Sequence, residues 1–188
     1  MKQYILPSIR LTLVCIGFFC GIYTLIILGA AQAAPAKGKG EPVMLNGKVV
    51  GYALEGQGFT KDNYFWSRPS AVGYNAAGSG GSNKGPSNPD YLKDVQSRID
   101  TFLAHNPGIA KEQIPSDLVT ASGSGLDPDI SPDAAFVQAK RIAAIRKISE
   151  ADIRKMIEQN TEKPLLGIFG TERVNVLRLN IALDTMSK

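Results

Sequence analysis

The sequence predicts an α+β protein that is held to a membrane by a single N-terminal transmembrane helix. Three observations support this prediction. Residues 11–31 form an uncharged apolar stretch, an Asn-Gly pair at residue 46 separates two short β-prone runs, and three capped helix starts lie between residues 88 and 150. A chain of 188 residues is long enough for one compact domain with an appendage.

The apolar stretch from Leu11 to Ala31 has the length that an α-helix needs to cross about 30 Å of hydrocarbon. The alternative is a cleaved signal peptide, because Ala31-Gln32-Ala33 resembles a cleavage site. Signal peptides usually have a shorter apolar core, so an uncleaved anchor is favoured. We therefore expect residues 1–10 before the membrane and a juxtamembrane linker over residues 32–42.

The distribution of charge disfavours a nucleic-acid partner. The net charge is +4, but four of the 21 basic residues and only one of the 17 acidic residues lie in the first 41 positions. The rest of the chain is nearly neutral, which suits a phosphate-backbone binder poorly. Basic residues flank the apolar stretch on both sides, so the positive-inside rule leaves its orientation open. Both cysteines lie inside that stretch, so the soluble part can form no internal disulfide.

A β-hairpin is predicted over residues 43–50, because Asn46-Gly47 readily supplies the two positive φ angles of a type I′ turn. The densest aromatic segment, Tyr64-Phe65-Trp66, precedes Arg68-Pro69. It is interpreted as a core anchor. The alternative is an exposed aromatic and arginine pair at an interface, where those residue types dominate binding energy.

Three helices are predicted from their capping residues. The first begins at Pro89-Asp90, the second at Ser131-Pro132-Asp133 and the third at Ser149, with an end near Asn160. The first would stop at Asn106-Pro107-Gly108. The apolar faces would carry Leu92, Val95, Ile99, Phe102 and Leu103 in the first helix, and Phe136, Ala139, Ile142 and Ala143 in the second.

The C-terminal segment, residues 173–184, is predicted to be a half-buried strand. Leu177, Leu179, Ile181 and Leu183 alternate with more polar residues, which is the period of two that a strand shows. Strands at both ends with helices between them give a compact α+β domain over residues 43–188.

The glycine-rich segment GYNAAGSGGSNKGPSNPD at residues 73–90 has the composition of a nucleotide loop but not its motif. A phosphate-binding loop needs a hydroxyl residue after its lysine, whereas Lys84 is followed by Gly85-Pro86. A second Ser/Gly-rich loop spans residues 121–130. Asp127, Asp129 and Ser131 resemble part of a calcium loop, but the required glycine and glutamate are absent at their offsets.

No enzyme site emerges from the remaining chemistry-bearing residues. His105 is the single histidine, and no G-x-S-x-G motif is present. A basic run from Lys140 to Lys155 is interleaved with acidic residues, so we expect a solvated helix face there. The sequence thus predicts neither a catalytic residue nor a cofactor or metal bound by the chain itself.

Several motifs taken together resemble one family, the C subunit of the Kdp potassium-transporting ATPase. They cover most of the chain after the apolar stretch. The departures are Asp129 where a histidine is expected, Ser67 in place of a glycine, and an unusual segment at residues 52–55. The matching segments are NGKVVG at 46–51, GQGF at 56–59, YFWSRPSA at 64–71, the loop at 73–90, TASGSGLDP at 120–128, ISP at 130–132, RVNVL at 173–177, LN at 179–180 and ALD at 182–184.

The resemblance implies an accessory, non-catalytic subunit of a bacterial inner-membrane complex for ATP-driven potassium uptake. It implies three partners: a channel-like potassium-binding subunit, a P-type ATPase subunit and a small peptide subunit. The complex uses ATP, magnesium and potassium. The implied topology is a cytoplasmic N-terminus, a transmembrane helix at 11–31 and a periplasmic domain at 43–188.

The family is also described as a catalytic chaperone that raises the affinity of the ATPase subunit for ATP. A periplasmic domain does not meet cytoplasmic ATP, so an assembly and stabilising role is favoured over ATP binding. The alternative function is a secreted or anchored periplasmic binding module unrelated to transport.

The two Ser/Gly-rich loops each lead into a helix that starts with Pro-Asp, and we expect them to converge into a polar patch that docks on the channel-like subunit. The candidate docking residues are Trp66, Arg68, Asn75, Ser79, Gly80, Gly81, Ser82, Asn83, Ser87, Asn88, Ser122, Ser124 and Asp127.

Overall fold

The computed structural model describes residues 2–34 and 36–186, which divide into two units at the junction of Glu41 and Pro42. The first unit is a helix built from α1 (Lys2–Cys15), a π-helical segment (Ile16–Tyr23) and α2 (Thr24–Gln32). Residues 3–32 are long and apolar enough to cross a membrane. At 1.5 Å per residue these 30 residues rise about 45 Å, which exceeds the hydrocarbon thickness. The helix contains the predicted span and begins before it.

The predicted hairpin is confirmed at the start of the second unit. Strands β1 (Pro42–Leu45) and β2 (Lys48–Tyr52) pair antiparallel. Asn46 and Gly47 connect them with φ angles of 51° and 76°, the left-handed conformation that this dipeptide tolerates best.

The described part of the α+β unit also contains a small antiparallel sheet, five α-helices and three short 3-10 turns. The sheet has the order β3-β5-β4, and each strand is two or three residues long. The strands are β3 (Asp129–Ile130), β4 (Thr161–Glu162) and β5 (Arg173–Asn175), and the helices are α3 (Pro89–His105), α4 (Pro132–Phe136), α5 (Ala139–Arg146), α6 (Glu150–Gln159) and α7 (Val176–Met186).

Two predicted helix starts are confirmed with their caps. The Asn88 side chain accepts hydrogen bonds from the backbone N–H groups of Asp90 and Tyr91 at the start of α3. The Ser149 hydroxyl accepts one from Asp152 at the start of α6. Each bond satisfies a donor that the first helical turn leaves free. Leu92, assigned to the apolar face of α3, is instead exposed.

The second predicted helix begins at its expected cap, Ser131, but is interrupted. Ser131 accepts from the Ala134 N–H, and α4 then ends at Phe136 before α5 begins at Ala139. Gln138 lies between them and is fully buried. Its Nε2 donates to the Ala134 carbonyl at 2.9 Å, and its Oε1 accepts from the backbone N–H of Trp66 at 2.8 Å.

The predicted C-terminal strand is wrong beyond Asn175. The strand β5 stops there, and the Asn175 side chain accepts from the Arg178 N–H at 3.1 Å, which caps α7. The same apolar residues also fit one face of a helix. The burial of Asn180 agrees with the helix, since the predicted strand would have turned this residue to solvent. The buried residues at helical spacing are Val176, Leu179, Asn180 and Leu183.

The core of this unit packs Phe65 against residues of α5, α6 and α7. Phe65 is fully buried, and Asn180 fixes its backbone on both sides. The Phe65 N–H donates to Asn180 Oδ1 at 2.9 Å, and Asn180 Nδ2 donates to the Phe65 carbonyl at 3.1 Å. The core-anchor interpretation is thus confirmed for Phe65. The fully buried apolar partners include Ile142, Ile153, Ile157, Leu179 and Leu183.

The predicted solvated basic face is wrong at Arg146, whose side chain is 13% exposed and pairs with Asp184, and at Arg141, which is only 6% exposed. The Arg141 guanidinium donates to Asn106 Oδ1 at 2.9 Å, to Gln138 Oε1 at 2.7 Å and to the Asp62 carbonyl at 2.6 Å. Burial lowers the pKa of Arg141 from 12.5 to about 10. Three directed bonds hold the buried charge, an arrangement that a planar guanidinium permits. Lys140 and Lys155 are exposed, as expected.

Candidate functional site: two interlocked loops

The two Ser/Gly-rich loops lie against each other, as the sequence predicts. The Gly80 N–H donates to the Ser124 carbonyl at 2.8 Å, and the Ser79 hydroxyl donates to the same oxygen at 2.9 Å. A Cβ atom on Gly81 would lie 3.1 Å from the Gly123 carbonyl oxygen. Glycine therefore permits the close backbone approach through which the loops interlock.

Gly125 is the tightest point of this contact. It is buried and has a φ of +68°, where a side chain is strained in any case. A Cβ atom there would also lie 2.5 Å from Val72 Cγ2 and 2.8 Å from the Gly80 carbonyl oxygen. Both the conformation and the available space thus require glycine.

The segment that follows Trp66 is fastened to the second loop through Ser70. The Ser70 hydroxyl donates to the Gly125 carbonyl at 2.6 Å and accepts from the N–H groups of Val72 and Tyr74. The Ser122 N–H adds a bond to the Pro69 carbonyl at 3.1 Å. These contacts join residues 68–74 and 121–125 into one surface, which we call the interlocked loops together with residues 79–81.

An ion pair closes one side of the interlocked loops. Arg68 Nη1 lies 2.8 Å from Asp127 Oδ2, and the two side chains are 24% and 29% exposed. Asp127 Oδ1 accepts from the Asp129 N–H at 3.0 Å, so one carboxylate binds both a guanidinium and the loop backbone. Arg68 Nε is buried and has no hydrogen-bond partner among the described residues.

A charged cleft of about 580 Å³ lies beside this pair. Asp117 and Asp129 contribute carboxylates to it, and Arg173 lies 3.2 Å from Asp129. Burial raises the pKa of Asp129, and Arg173 partly opposes that rise. Asp117 accepts from the Ser131 N–H at 2.7 Å. Within residues 2–34 and 36–186, no group of three or more histidine, cysteine, aspartate or glutamate side chains is arranged to hold a metal ion.

A second, more apolar pocket of about 410 Å³ opens next to Trp66. The indole makes an edge contact with Phe102, at a ring-centroid distance of 6.2 Å, and Arg141 lies 4.9 Å from the indole centroid. Burial raises the pKa of Tyr74, whose hydroxyl donates to the Arg68 carbonyl. Trp66 therefore packs against the core residue Phe102 and also lines the pocket. The apolar lining includes Phe59, Trp66, Pro69, Tyr74, Phe102 and Leu118.

The structure separates the predicted docking residues into two groups. One group forms the interlocked loops and their margin: Trp66, Arg68, Ser79, Gly80, Gly81, Ser122, Ser124 and Asp127. The other group lies along the rest of the first loop: Asn75, Ser82, Asn83, Ser87 and Asn88.

Several of these residues have local structural roles. Asn75 accepts from the Ala77 N–H and caps a short 3-10 turn, Ala76–Gly78. Asn83 adopts a φ of 53°, and Asn88 caps α3. Ser122 is only 3% exposed, and its backbone N–H donates to the Pro69 carbonyl. Ser79 and Ser82 are exposed.

The loop lysine that first suggested a nucleotide site is engaged by a carboxylate. Lys84 Nζ lies 3.0 Å from Asp94 Oδ2 on α3, and this ion pair lowers the pKa of Asp94. The pairing agrees with the failure of the phosphate-loop motif at Gly85.

Sequence reasoning missed two features of this domain. The buried network around Arg141 and Gln138 has no local signal, because its partners are distant along the chain. The second feature is an exposed apolar hairpin at residues 165–169. Its signal was present as LLGIF, an apolar run between Pro164 and Gly170 that no predicted helix or strand contained.

Comparison with known proteins finds similarity to one protein family over nearly the whole chain. The family model KdpC, described as "K+-transporting ATPase, c chain", matches residues 5–185. A potassium-transporting ATPase KdpC subunit of Flavobacterium psychrophilum is 57% identical over 182 residues, covering 97% of this chain and 98% of the relative. The KdpC subunit of Bacteroides fragilis is 54% identical over 185 residues, covering 97% of both chains. The KdpC subunit of Nitratidesulfovibrio vulgaris is 44% identical over 191 residues, covering 100% of this chain and 96% of the relative.

Proposed function

Since this chain belongs to the KdpC family, the c chain of K+-transporting ATPases, we propose that it is a non-catalytic subunit that assembles and stabilises the potassium-uptake complex. The observation that supports this role is the interlocked loops. They form a surface fixed by backbone hydrogen bonds and one ion pair, next to an apolar pocket. Such a preorganised surface loses little conformational freedom when it binds.

The partner for this surface is the channel-like potassium-binding subunit, with the P-type ATPase subunit and the small peptide subunit completing the hetero-oligomer. An apolar side chain of the channel-like subunit would enter the Trp66 pocket. Ser97 and Thr101, which line this pocket, would form part of its polar rim, and the exposed Ser79 and Ser82 would add polar contacts on the first loop. Tryptophan, the residue type of Trp66, is enriched among the few residues that supply most of the binding energy at such an interface.

The proposed topology places the N-terminus in the cytoplasm and the domain that begins at Pro42 in the periplasm of a bacterial inner membrane. The N-terminal helix supplies a second attachment to the complex. Tethering by this helix raises the effective concentration of the domain at its partner, so a modest docking surface suffices for stable association.

An effect on ATP affinity would then pass through the assembled complex and not through contact with the nucleotide. Lys84 of the glycine-rich loop is paired with Asp94, which supports this assignment. ATP, magnesium and potassium are thus assigned to the complex as a whole. A binding module unrelated to transport finds no support in the family match.

The decisive experiment compares the complex purified from cells that contain or lack this chain. We expect its removal to lower the joint recovery of the ATPase and channel-like subunits and to abolish high-affinity potassium uptake. Equal recovery with wild-type uptake would refute the assembly role. Protease protection in spheroplasts tests the topology, since a periplasmic domain is cleaved without disruption of the inner membrane.

A variant that blocks the surface without disturbing the core locates the contact. Ser82→Trp places a bulky side chain at an exposed position directly after residues 79–81 of the interlocked loops, and Lys155→Trp on α6 is its matched control. We expect about a tenfold loss of co-purified channel-like subunit for Ser82→Trp alone, as for a hot-spot disruption. If both variants co-purify the channel-like subunit at the wild-type level, the docking surface lies elsewhere on the domain.

A further inference from the structure

The hairpin Leu165–Phe169, which we call the apolar hairpin, exposes four large apolar side chains at one place. Leu165, Leu166, Ile168 and Phe169 are 70%, 80%, 75% and 61% exposed. Pro164 and Gly170 flank the run, and no charged or hydrogen-bonding side chain interrupts it. Together these side chains present roughly 500 Å² of apolar surface, a size that marks an interaction site.

Four of the five backbone donors of the apolar hairpin have acceptors within the hairpin or at Pro164. The N–H groups of Leu165 and Phe169 donate to each other's carbonyls at 2.9 and 3.0 Å. Those of Gly167 and Ile168 donate to Pro164 and Leu165 at 2.9 and 3.3 Å. Hydrocarbon offers no partner to a backbone donor, so these four bonds lower the cost of moving the hairpin out of water.

The turn itself does not require a leucine. Leu166 has a φ of 57°, in the left-handed region that glycine and asparagine occupy with less strain. Its side chain is also too exposed to stabilise the domain core by packing. Neither the turn geometry nor packing in the core therefore accounts for a leucine at this position.

The chain itself provides an apolar phase within reach. The helix that ends at Gln32 is long and apolar enough to span a membrane, and residues 33–41 extend over at most about 30 Å. If the helix spans a membrane, this short tether raises the effective concentration of the bilayer surface at the domain. Lys163, at the neck of the apolar hairpin, is exposed and has the charge that attracts lipid phosphates.

We propose that the tip of the apolar hairpin inserts into the headgroup and upper acyl region of the membrane that holds the anchor. A protein pocket is the less suitable occupant, because interface hot spots usually combine apolar groups with arginine or other hydrogen-bonding side chains. The tip has none. This contact would orient the domain on the bilayer independently of the interlocked loops, and it requires only that the N-terminal helix stays attached.

The test uses the full-length protein in nanodiscs. In a Cys15→Ser, Cys20→Ser background, Ile168→Cys carries an environment-sensitive NBD label, and Lys93→Cys on α3 is the exposed control. Lipids with a nitroxide on the upper acyl chain and aqueous iodide serve as the two quenchers. At an insertion depth of about 5–10 Å, we expect roughly threefold stronger lipid quenching at 168 than at 93, and protection from iodide. Intact mass confirms that the anchor is retained.

Three outcomes would overturn the proposal: equal iodide quenching at both positions, protection from iodide without lipid quenching, or loss of the anchor from the mature protein. The second outcome would indicate a protein pocket as the occupant. Recovery of the other subunits is scored separately, so a failure of the docking role and a failure of membrane insertion are distinguishable.

Discussion

Arg68 Nη1 lies 2.8 Å from Asp127 Oδ2, and this pair joins the segment after Trp66 to the second Ser/Gly-rich loop. Both side chains are less than one-third exposed, so removal of one charge leaves the other partly buried without its counterion. The same carboxylate also accepts from the Asp129 N–H, which fixes the turn before β3. The pair therefore links the geometry of the interlocked loops to the small sheet.

The first prediction concerns the charge of Asp127. Asp127→Asn keeps the size of the side chain, and we expect it to lower the free energy of unfolding by about 1–2 kcal/mol. Denaturant unfolding of the detergent-solubilised chain, followed by the fluorescence of the single tryptophan, measures this change. Asp94→Asn removes the exposed partner of Lys84 and should cause no detectable change. Equal effects of the two variants would contradict the structural role of the Arg68 pair.

The second prediction tests the packing of the loops at Gly125. Gly125→Ala adds a Cβ atom 2.5 Å from Val72 Cγ2 at a φ of +68°, so we expect a loss of about 2–4 kcal/mol of stability or an opening of the loops. Gly85→Ala is the matched control, because a Cβ atom there meets nothing within 4 Å. Hydrogen exchange at the Gly80 amide should accelerate only in the first variant. Unchanged exchange at Gly80 in Gly125→Ala would show that the loops are not interlocked.

Features that depend on local chemistry were predictable from the sequence. The Asn46-Gly47 turn, the helix start at Pro89 and the caps at Ser131 and Ser149 each depend on residues within a few positions, and all occur where expected. The convergence of the two loops followed from their similar continuation into helices. The burial of Ser122 within that contact did not, because it depends on the Pro69 carbonyl far along the chain.

Features that depend on distant partners were missed. At the C-terminus, apolar residues at every second position fit both a strand and one face of α7, and the deciding fact is that Asn180 is buried against Phe65. At Arg141, the sequence shows a charge among other charges. Its burial follows from acceptors at Asp62, Asn106 and Gln138 that meet only in the folded chain.

The third prediction concerns this buried arginine. Arg141→Met preserves much of the volume but removes the donor to Asn106 Oδ1 and one of the two donors to Gln138 Oε1, so we expect a loss of about 3 kcal/mol in unfolding free energy. Lys140→Ala, at the exposed neighbouring position, should change stability by less than about 0.5 kcal/mol. Arg141→Lys retains the charge without the planar fork and should recover little of the loss. Full recovery by lysine would mean that charge alone, and not directed bonding, stabilises this site.

The fourth prediction concerns the pH dependence introduced by Asp129. Burial raises the pKa of its carboxyl in the folded chain above the unfolded value, so the folded state binds more protons in the range between the two pKa values. The contribution of Asp129 to stability therefore falls as the pH rises through that range and stays unfavourable at neutral pH.

Asp129→Asn keeps an oxygen that can accept the bond from Asn175 Nδ2. We expect it to stabilise the chain at pH 7, with a gain that shrinks as the pH is lowered towards 4. Unfolding curves for both chains across this pH range measure the difference. A gain independent of pH would show that burial of the charge is not its cause, and a net loss at pH 7 would show that attraction to Arg173 outweighs burial.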